Sequence, residues 1–240
     1  MPSDVEPATP VVVTTGIAAN LRRLHERVDA ACRRAGRSPA DVTIVGISKG
    51  FPATAVVAAW QAGLRDIGEN RVQEAAPKIA AAKTQGARPR WHLVGHLQTN
   101  KVKTALSLFD IIHSVDSLRL AEAISRAGSK PVPVLLEVNV SDEASKYGLK
   151  LEEVEGTLTK ARDLPNIDVQ GLMTVAPLVD DPEDVRPIFR RLRELARALD
   201  LPQLSMGMSD DFEVAVEEGA TMIRLGRAIF GPRPGNMETE

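Results

Sequence analysis

The residues of this sequence that could do chemistry stand where apolar runs stop. Lys49 ends the stretch VTIVGISKG (42–50) and is followed at once by Gly50. Glu137, Asn139 and Ser141 alternate with apolar residues at the end of VPVLLEVNVS (132–141), and Arg224 sits in TMIRLG just before Gly226 and Arg227. A lysine amine can bind an anion or condense with a carbonyl compound, and partial burial lowers its pKa toward the neutral, reactive form. The plain alternative is a lysine leaving a strand end for solvent. Arg224 shares a strand face with Met222, so it needs a partner. That partner is either a ligand or a carboxylate, Glu137 or Glu69.

Two further segments, SMGMSDD and RLGRAIFG, place small residues before helix-like text. Ser209 suits a helix N-cap, and Gly226 lets a ligand approach the backbone closely. Amides at helix starts favour phosphate. The histidines imply less. His92 and His96 share a face with Val94, but without a third ligand they do not define a metal site. His113 ends a strand and His25 lies on a helix surface. The run RRAGR (33–37) reads as a solvated helix end. Asp210 and Asp211 read as the favourable start of a helix. Tyr147, beside Lys146, reads as a loop residue with its ring on the surface.

These residues need elements to position them. A helix is expected from about residue 17, with Leu21, Leu24, Val28 and Ala31 at helical spacing and Gly36 as its C-terminal cap. After it, eight strand candidates follow: VTIVGIS, DIGE, WHLVG, FDIIHSV, VPVLLEVNV, IDVQGLM, QLSM and TMIRLG. Nearly all are followed by helical text, and strict β–α alternation implies a parallel sheet. Eight units in this length favour a closed (β/α)8 barrel of the TIM type. An open doubly wound sheet would carry a GxGxxG turn after the first strand, which is absent. In such barrels, sites lie at the C-terminal strand ends, often with phosphate held by the loops after strands seven and eight. If the odd-numbered face of the first strand points inward, Lys49 projects into the mouth.

The bulk numbers narrow the function classes. A net charge of −2 gives the chain no electrostatic footprint for nucleic acid, and 3% aromatic residues give no stacking platform for single strands. One cysteine, Cys32, excludes an internal disulfide framework and fits a reducing, cytoplasmic setting. No apolar run is long enough for a membrane span, and the start lacks a secretory pattern. Residues 1–15 read as a mobile tail, 16–233 as a single domain and 234–240 as a C-terminal tail. Few aromatics on exposed helices make a monomer the expectation.

The strand-end segments together resemble the YggS/PROSC-type pyridoxal phosphate (PLP) homeostasis proteins. The matching stretches are VGISKG, DIGENRVQEA, WHLVGHLQTNKVK, IHSVDSLRLAEAI, EVNVSDEASKYGL, GLMTVAP and LSMGMSDDFEVAVEEGATMIRLGRAIFG, covering roughly residues 40–231. The resemblance implies a barrel similar to the N-terminal domain of alanine racemase, with an extra N-terminal helix. It implies that Lys49 carries PLP as an internal aldimine and that Arg224 approaches the pyridine nitrogen. Ser209, Gly226 and Arg227 would surround the phosphate, and Asn70 and Met206 would line the cofactor. The segment GFP after the lysine departs from relatives, which often carry polar or basic residues there.

An arginine at the pyridine nitrogen stays protonated and discourages protonation of the ring, which makes a poorer electron sink. Alanine racemase also uses a tyrosine base from a second domain, and here the text ends soon after strand eight. The resemblance therefore implies intracellular PLP homeostasis and delivery with little or no turnover, with apo forms of PLP-dependent enzymes as possible recipients. The alternative is a PLP-dependent amino-acid racemase in which Tyr147 and Lys146 act as catalytic groups. A third reading is a PLP-independent Schiff-base aldolase.

Overall fold

A computed structural model of the chain describes residues 10–141 and 147–232. The strands are β1 (Thr43–Ile47), β2 (Asp66–Glu69), β3 (Arg90–Leu93), β4 (Ile111–Val115), β5 (Val132–Glu137), β6 (Ile167–Met173), β7 (Gln203–Ser205) and β8 (Met222–Leu225). All pair in parallel in chain order, and β8 closes on β1 through Thr43↔Met222 and Val45↔Arg224. The sheet is thus the closed (β/α)8 barrel that the β–α alternation predicts. The helices are α1 (Pro10–Arg34), α2 (Ala53–Gln61), α3 (Val72–Thr84), α4 (Val102–Leu106), α5 (Leu118–Ala127), α6 (Val154–Arg162), α7 (Arg186–Ala198), α8 (Phe212–Glu217) and α9 (Arg227–Phe230).

Strand alternation separates two cores. Inside the barrel, Val45 and Ile47 pack with Ile111, Leu135, Met173 and Met222. Outside it, Ile44, Val134, Leu136, Val138 and Val140 face the helices. The odd face of β1 therefore points inward, as the position of Lys49 requires. The outer layer carries most of the large buried aliphatics. Truncating one of them, such as the fully buried Leu136, costs about 2–5 kcal/mol.

The N-terminal helix α1 packs on α2, α8 and α9 through Ile17, Leu21, Leu24 and Val28. It starts at Pro10, inside the segment that composition assigned to a tail. Proline suits a first helical turn, whereas the β-branched run Val11–Thr15 shows no 3.6-residue period to read. The run RRAGR does more than face water. Arg37 donates to the carbonyls of Val216 and Ala220 at 2.6 and 2.9 Å, and Arg34 pairs with Glu213 and Glu217. These arginines tie α1 to α8, which holds the loop after β7. Residues 1–9 and 233–240 lie outside the described residues, and so do the tail assignments that fall on them.

Candidate functional site

Lys49 stands two residues past β1, on a buried support. The Ser48 hydroxyl donates to Glu69 at the end of β2, and both side chains are fully buried. Lys78 of α3 donates to the Ser48 carbonyl at 2.6 Å and pairs with the same Glu69 carboxylate. The peptide before Lys49 is thereby fixed from behind. Gly50 then turns the chain with φ 78°, and Phe51 packs on Phe230 of α9 with ring centroids 5.2 Å apart. The GFP departure thus places an aromatic beside the lysine, packed onto the barrel's last helix.

Arg224 points into the barrel from β8 and is buried. Its Nη1 donates to the Ser205 hydroxyl at 2.7 Å and its Nη2 to the Thr174 carbonyl at 2.7 Å. In place of the carboxylate alternative, Glu137 or Glu69, the protein supplies these neutral acceptors. Glu69 lies on the outward face of β2 and is engaged by Lys78. Burial pulls the guanidinium down to about 10, against the charges of Asp211 and Glu137, so it stays protonated at neutral pH.

The loops after β7 and β8 meet beside these two cations. Ser209 does not cap α8, whose N-cap is Asp211. Its hydroxyl instead lies 3.4 Å from the Ala228 amide at the start of α9. Arg227 pairs with Asp210, joining the same two loops again. The buried Asp211 carboxylate accepts from the Met208 amide, which shapes the turn. Gly207 permits that turn with φ 92°, since a Cβ there would come 2.5 Å from the Ala215 Cβ.

One cavity of about 340 Å³ collects these groups. Lys49, Asn70, Ser209, Arg224, Gly226 and Arg227 all line it. Ile47, Val94 and Met208 supply apolar wall, and Val175 and Leu178 form an exposed lip. Met206 differs from its neighbours. It is fully buried in the outer layer, because Ser205 takes the inward position and strand alternation turns the next side chain away. The thioether at the cavity wall is that of Met208. Asn70 reaches the cavity because Gly95 lets the β3 loop pass close by; a Cβ on Gly95 would sit 2.3 Å from the Asn70 carbonyl.

On the far side of the mouth, His96 and Tyr147 stack with centroids 4.3 Å apart, and Tyr147 is 61% exposed. The His96 Nδ1 lies 2.9 Å from Asp116, which follows β4. Glu137 is buried at the end of β5. Burial, aided by the Asp116 charge and opposed by Arg224, pushes its carboxyl up to about 7. Tyr147 is not among the residues lining the Lys49 cavity. Lys146 lies outside the described residues.

Two supports escape sequence reading. Lys78 falls on the helical face of Ala75 and Ala82, which are buried, so its spacing is the available signal. The paired histidines His92 and His113 touch at 2.8 Å, although they lie on separate strands. Nothing local in either segment announces that contact.

The fold and the convergent cavity define a single-barrel protein of the alanine racemase type, and comparison with known proteins agrees. The family described as alanine racemase, N-terminal domain, matches residues 17–234. The pyridoxal phosphate homeostasis protein of Aquifex aeolicus is 45% identical over 222 residues, covering 89% of this chain and 96% of that protein. The structure of PipY from Synechococcus elongatus, solved with PLP bound, superposes with a TM-score of 0.78 at 36% identity, over 90% of this chain and all of that one. Alanine racemase from Corynebacterium glutamicum shares the fold, with a TM-score of 0.71 at 19% identity over 94% of this chain and 63% of its own. The chain belongs to the pyridoxal phosphate homeostasis protein family, within the alanine racemase N-terminal domain family.

Proposed function

We propose that this protein binds PLP at Lys49 and serves intracellular PLP homeostasis and delivery, with little or no turnover. The observation that carries the reading is convergence. An amine, a buried guanidinium and a hydroxyl–guanidinium pair from the ends of three strands, β1, β7 and β8, line one cavity with apolar walls. That donor set fits a flat, phosphorylated pyridine aldehyde. PLP supplies an electrophilic aldehyde and an electron-accepting ring. Lys49 engages the aldehyde through its amine, held in place by the Ser48–Glu69–Lys78 support. Arg224 donates toward the ring nitrogen and, remaining charged, keeps that nitrogen unprotonated. Ser209, the Gly226 backbone and Arg227 hold the phosphate, while Asn70, Ile47, Val94 and Met208 flank the ring.

Gly226 supports the fit. A Cβ there would meet protein only at ordinary distances, 3.5 Å from the Ile47 carbonyl, so packing does not demand a glycine. The space its missing side chain leaves is on the cavity wall. Gly226→Ala is therefore expected to weaken PLP binding by about tenfold or more while leaving the melting temperature within a degree or so.

Carrier and racemase separate on chemistry. Two-base racemisation needs a placed base besides Lys49, and Tyr147 stacks on His96 at the exposed far rim. The PLP-loaded protein is expected to restore activity to an apo PLP-dependent enzyme and to exchange no α-hydrogen from amino acids. Stereospecific exchange that depends on Tyr147 would overturn the carrier reading. No helix among the described residues is long and apolar enough to cross a membrane. The buried free thiol of Cys32 fits a cytoplasmic setting, and we expect the protein to act there as a monomer.

A further inference from the structure

Beneath the cavity, a line of polar side chains crosses the barrel interior, where apolar residues are the rule. Arg90 Nε donates to Asp66 at 2.8 Å, and Asp66 meets His92 Nε2 at 2.9 Å. His92 Nδ1 meets His113 Nε2 at 2.8 Å, and His113 Nδ1 meets the Ser205 hydroxyl at 2.9 Å. Ser205 then accepts from Arg224 Nη1 at 2.7 Å. His92, His113 and Ser205 are fully buried.

With both rings neutral, the carboxylate end sets the polarity of the whole line. A guanidinium only donates and an ionised carboxylate only accepts. Asp66 must therefore receive a proton from His92 Nε2, which leaves His92 Nδ1 as an acceptor. His113 must then donate from Nε2, which leaves its Nδ1 to accept from the Ser205 hydroxyl. Ser205, having given its proton to His113, accepts from Arg224. The Ser205 oxygen could accept from Arg224 and His113 together, so that end sets no direction; with neutral rings, reversing either imidazole would demand a proton from the Asp66 carboxylate. We propose that Asp66, His92, His113 and Ser205 form a one-way hydrogen-bond chain that fixes Arg224 in a single orientation at the cavity wall, so that His113 and Ser205 are positioning residues for the PLP ring.

The electrostatics agree with the geometry. Burial lowers His92 despite the neighbouring Asp66 carboxylate, and it lowers His113 further, with the Arg224 charge adding to the effect. Both rings are thus neutral, as the chain needs. Burial raises the Asp66 carboxyl, but the bonds from His92 and Arg90 outweigh it and leave the group ionised. With Nη2 held by the Thr174 carbonyl, Arg224 is tied at both terminal nitrogens. A flexible side chain becomes a preorganised donor.

The inference rests on the PLP reading, and its test separates the two. In the PLP-free full-length protein, ¹⁵N NMR of the ring nitrogens should find both His92 and His113 protonated at Nε2 alone. In the PLP-loaded protein, His113→Phe should still yield a borohydride-reduced adduct on Lys49. Its dissociation constant for PLP should rise by about tenfold, and the visible absorbance and circular dichroism of the bound cofactor should shift. His113→Gln keeps one acceptor and one donor and should recover most of the wild-type values. If His113→Phe does not fold, Ser205→Ala gives the same comparison. A proton on Nδ1 of either ring would overturn the proposal. So would a His113→Phe variant with a lower melting temperature but wild-type affinity and spectra. Failure of the wild-type protein to take PLP at Lys49 would instead remove the functional reading, and the ring tautomers would still judge the chain.

Discussion

On the β1, β7 and β8 side of the mouth, Lys49, Arg224 and Arg227 bring cations to a walled cavity. Across the barrel, on the β4 and β5 side, Asp116 and Glu137 bring carboxylates to a rim where Tyr147 stands 61% exposed. Both sides use the same strand-end positions of the same barrel. They differ in what stands behind each charge. The cationic side is braced by the Ser48–Glu69–Lys78 support, the Ser205 and Thr174 acceptors and the cross-loop contacts Ser209–Ala228 and Asp210–Arg227. On the anionic side, Glu137 is buried and feels Asp116, so its carboxyl resists ionisation. A strand end thus becomes a binding group only where neighbouring loops converge on it and offset its burial.

The comparison can be broken at several places. Gly95→Ala should have the largest effect, because its Cβ collides with the Asn70 backbone, which cannot yield as a side-chain tip can. A loss of about 3 kcal/mol in urea unfolding is expected, together with weaker PLP binding. Arg224→Met leaves the buried Ser205 hydroxyl and Thr174 carbonyl without their donor. It should cost about 2–3 kcal/mol and weaken PLP binding by at least about tenfold. The same substitution's effect on Lys49 adduct formation, read by peptide mapping, should be small.

Glu137→Gln sharpens the contrast from the other side. Burial holds the folded carboxyl at about 7, above its ordinary value of 4.5. An acid raised on folding favours the folded state while both states are protonated, and that advantage disappears as pH rises from about 4.5 to about 7. The variant should lack this decline and exceed the wild type by about 2 kcal/mol at pH values above the transition, as measured by unfolding across pH. Tyr147→Phe should have the smallest effect. The exposed ring keeps its stack on His96, so stability should move by less than about 0.5 kcal/mol and PLP affinity not at all.

Much of this was legible in the sequence. The alternation of strand-like and helix-like text carries the closed barrel, and the odd-even pattern of TIVGISK places Lys49 at its mouth. The same pattern sends Val134 and Leu136 outward and Glu137 inward, as observed. Other features depend on contacts between distant segments. Glu69 reads as a possible partner for Arg224, yet it faces outward to Lys78. Ser209 reads as the cap of the helix that follows it, yet it reaches a different helix. Met206 and Met208 differ by two residues, and the turn at Gly207 decides which one meets the cavity. The His92–His113 contact joins residues on separate strands, which no single-segment pattern encodes.

The most direct test of the central claim begins with the visible absorbance spectrum of the purified protein mixed with PLP. Borohydride reduction and peptide mapping by mass spectrometry then locate the attachment. The account predicts a visible band and a single reduced adduct on Lys49, lost in Lys49→Ala with no loss of fold. An absent band, or adducts scattered over surface lysines, would contradict it.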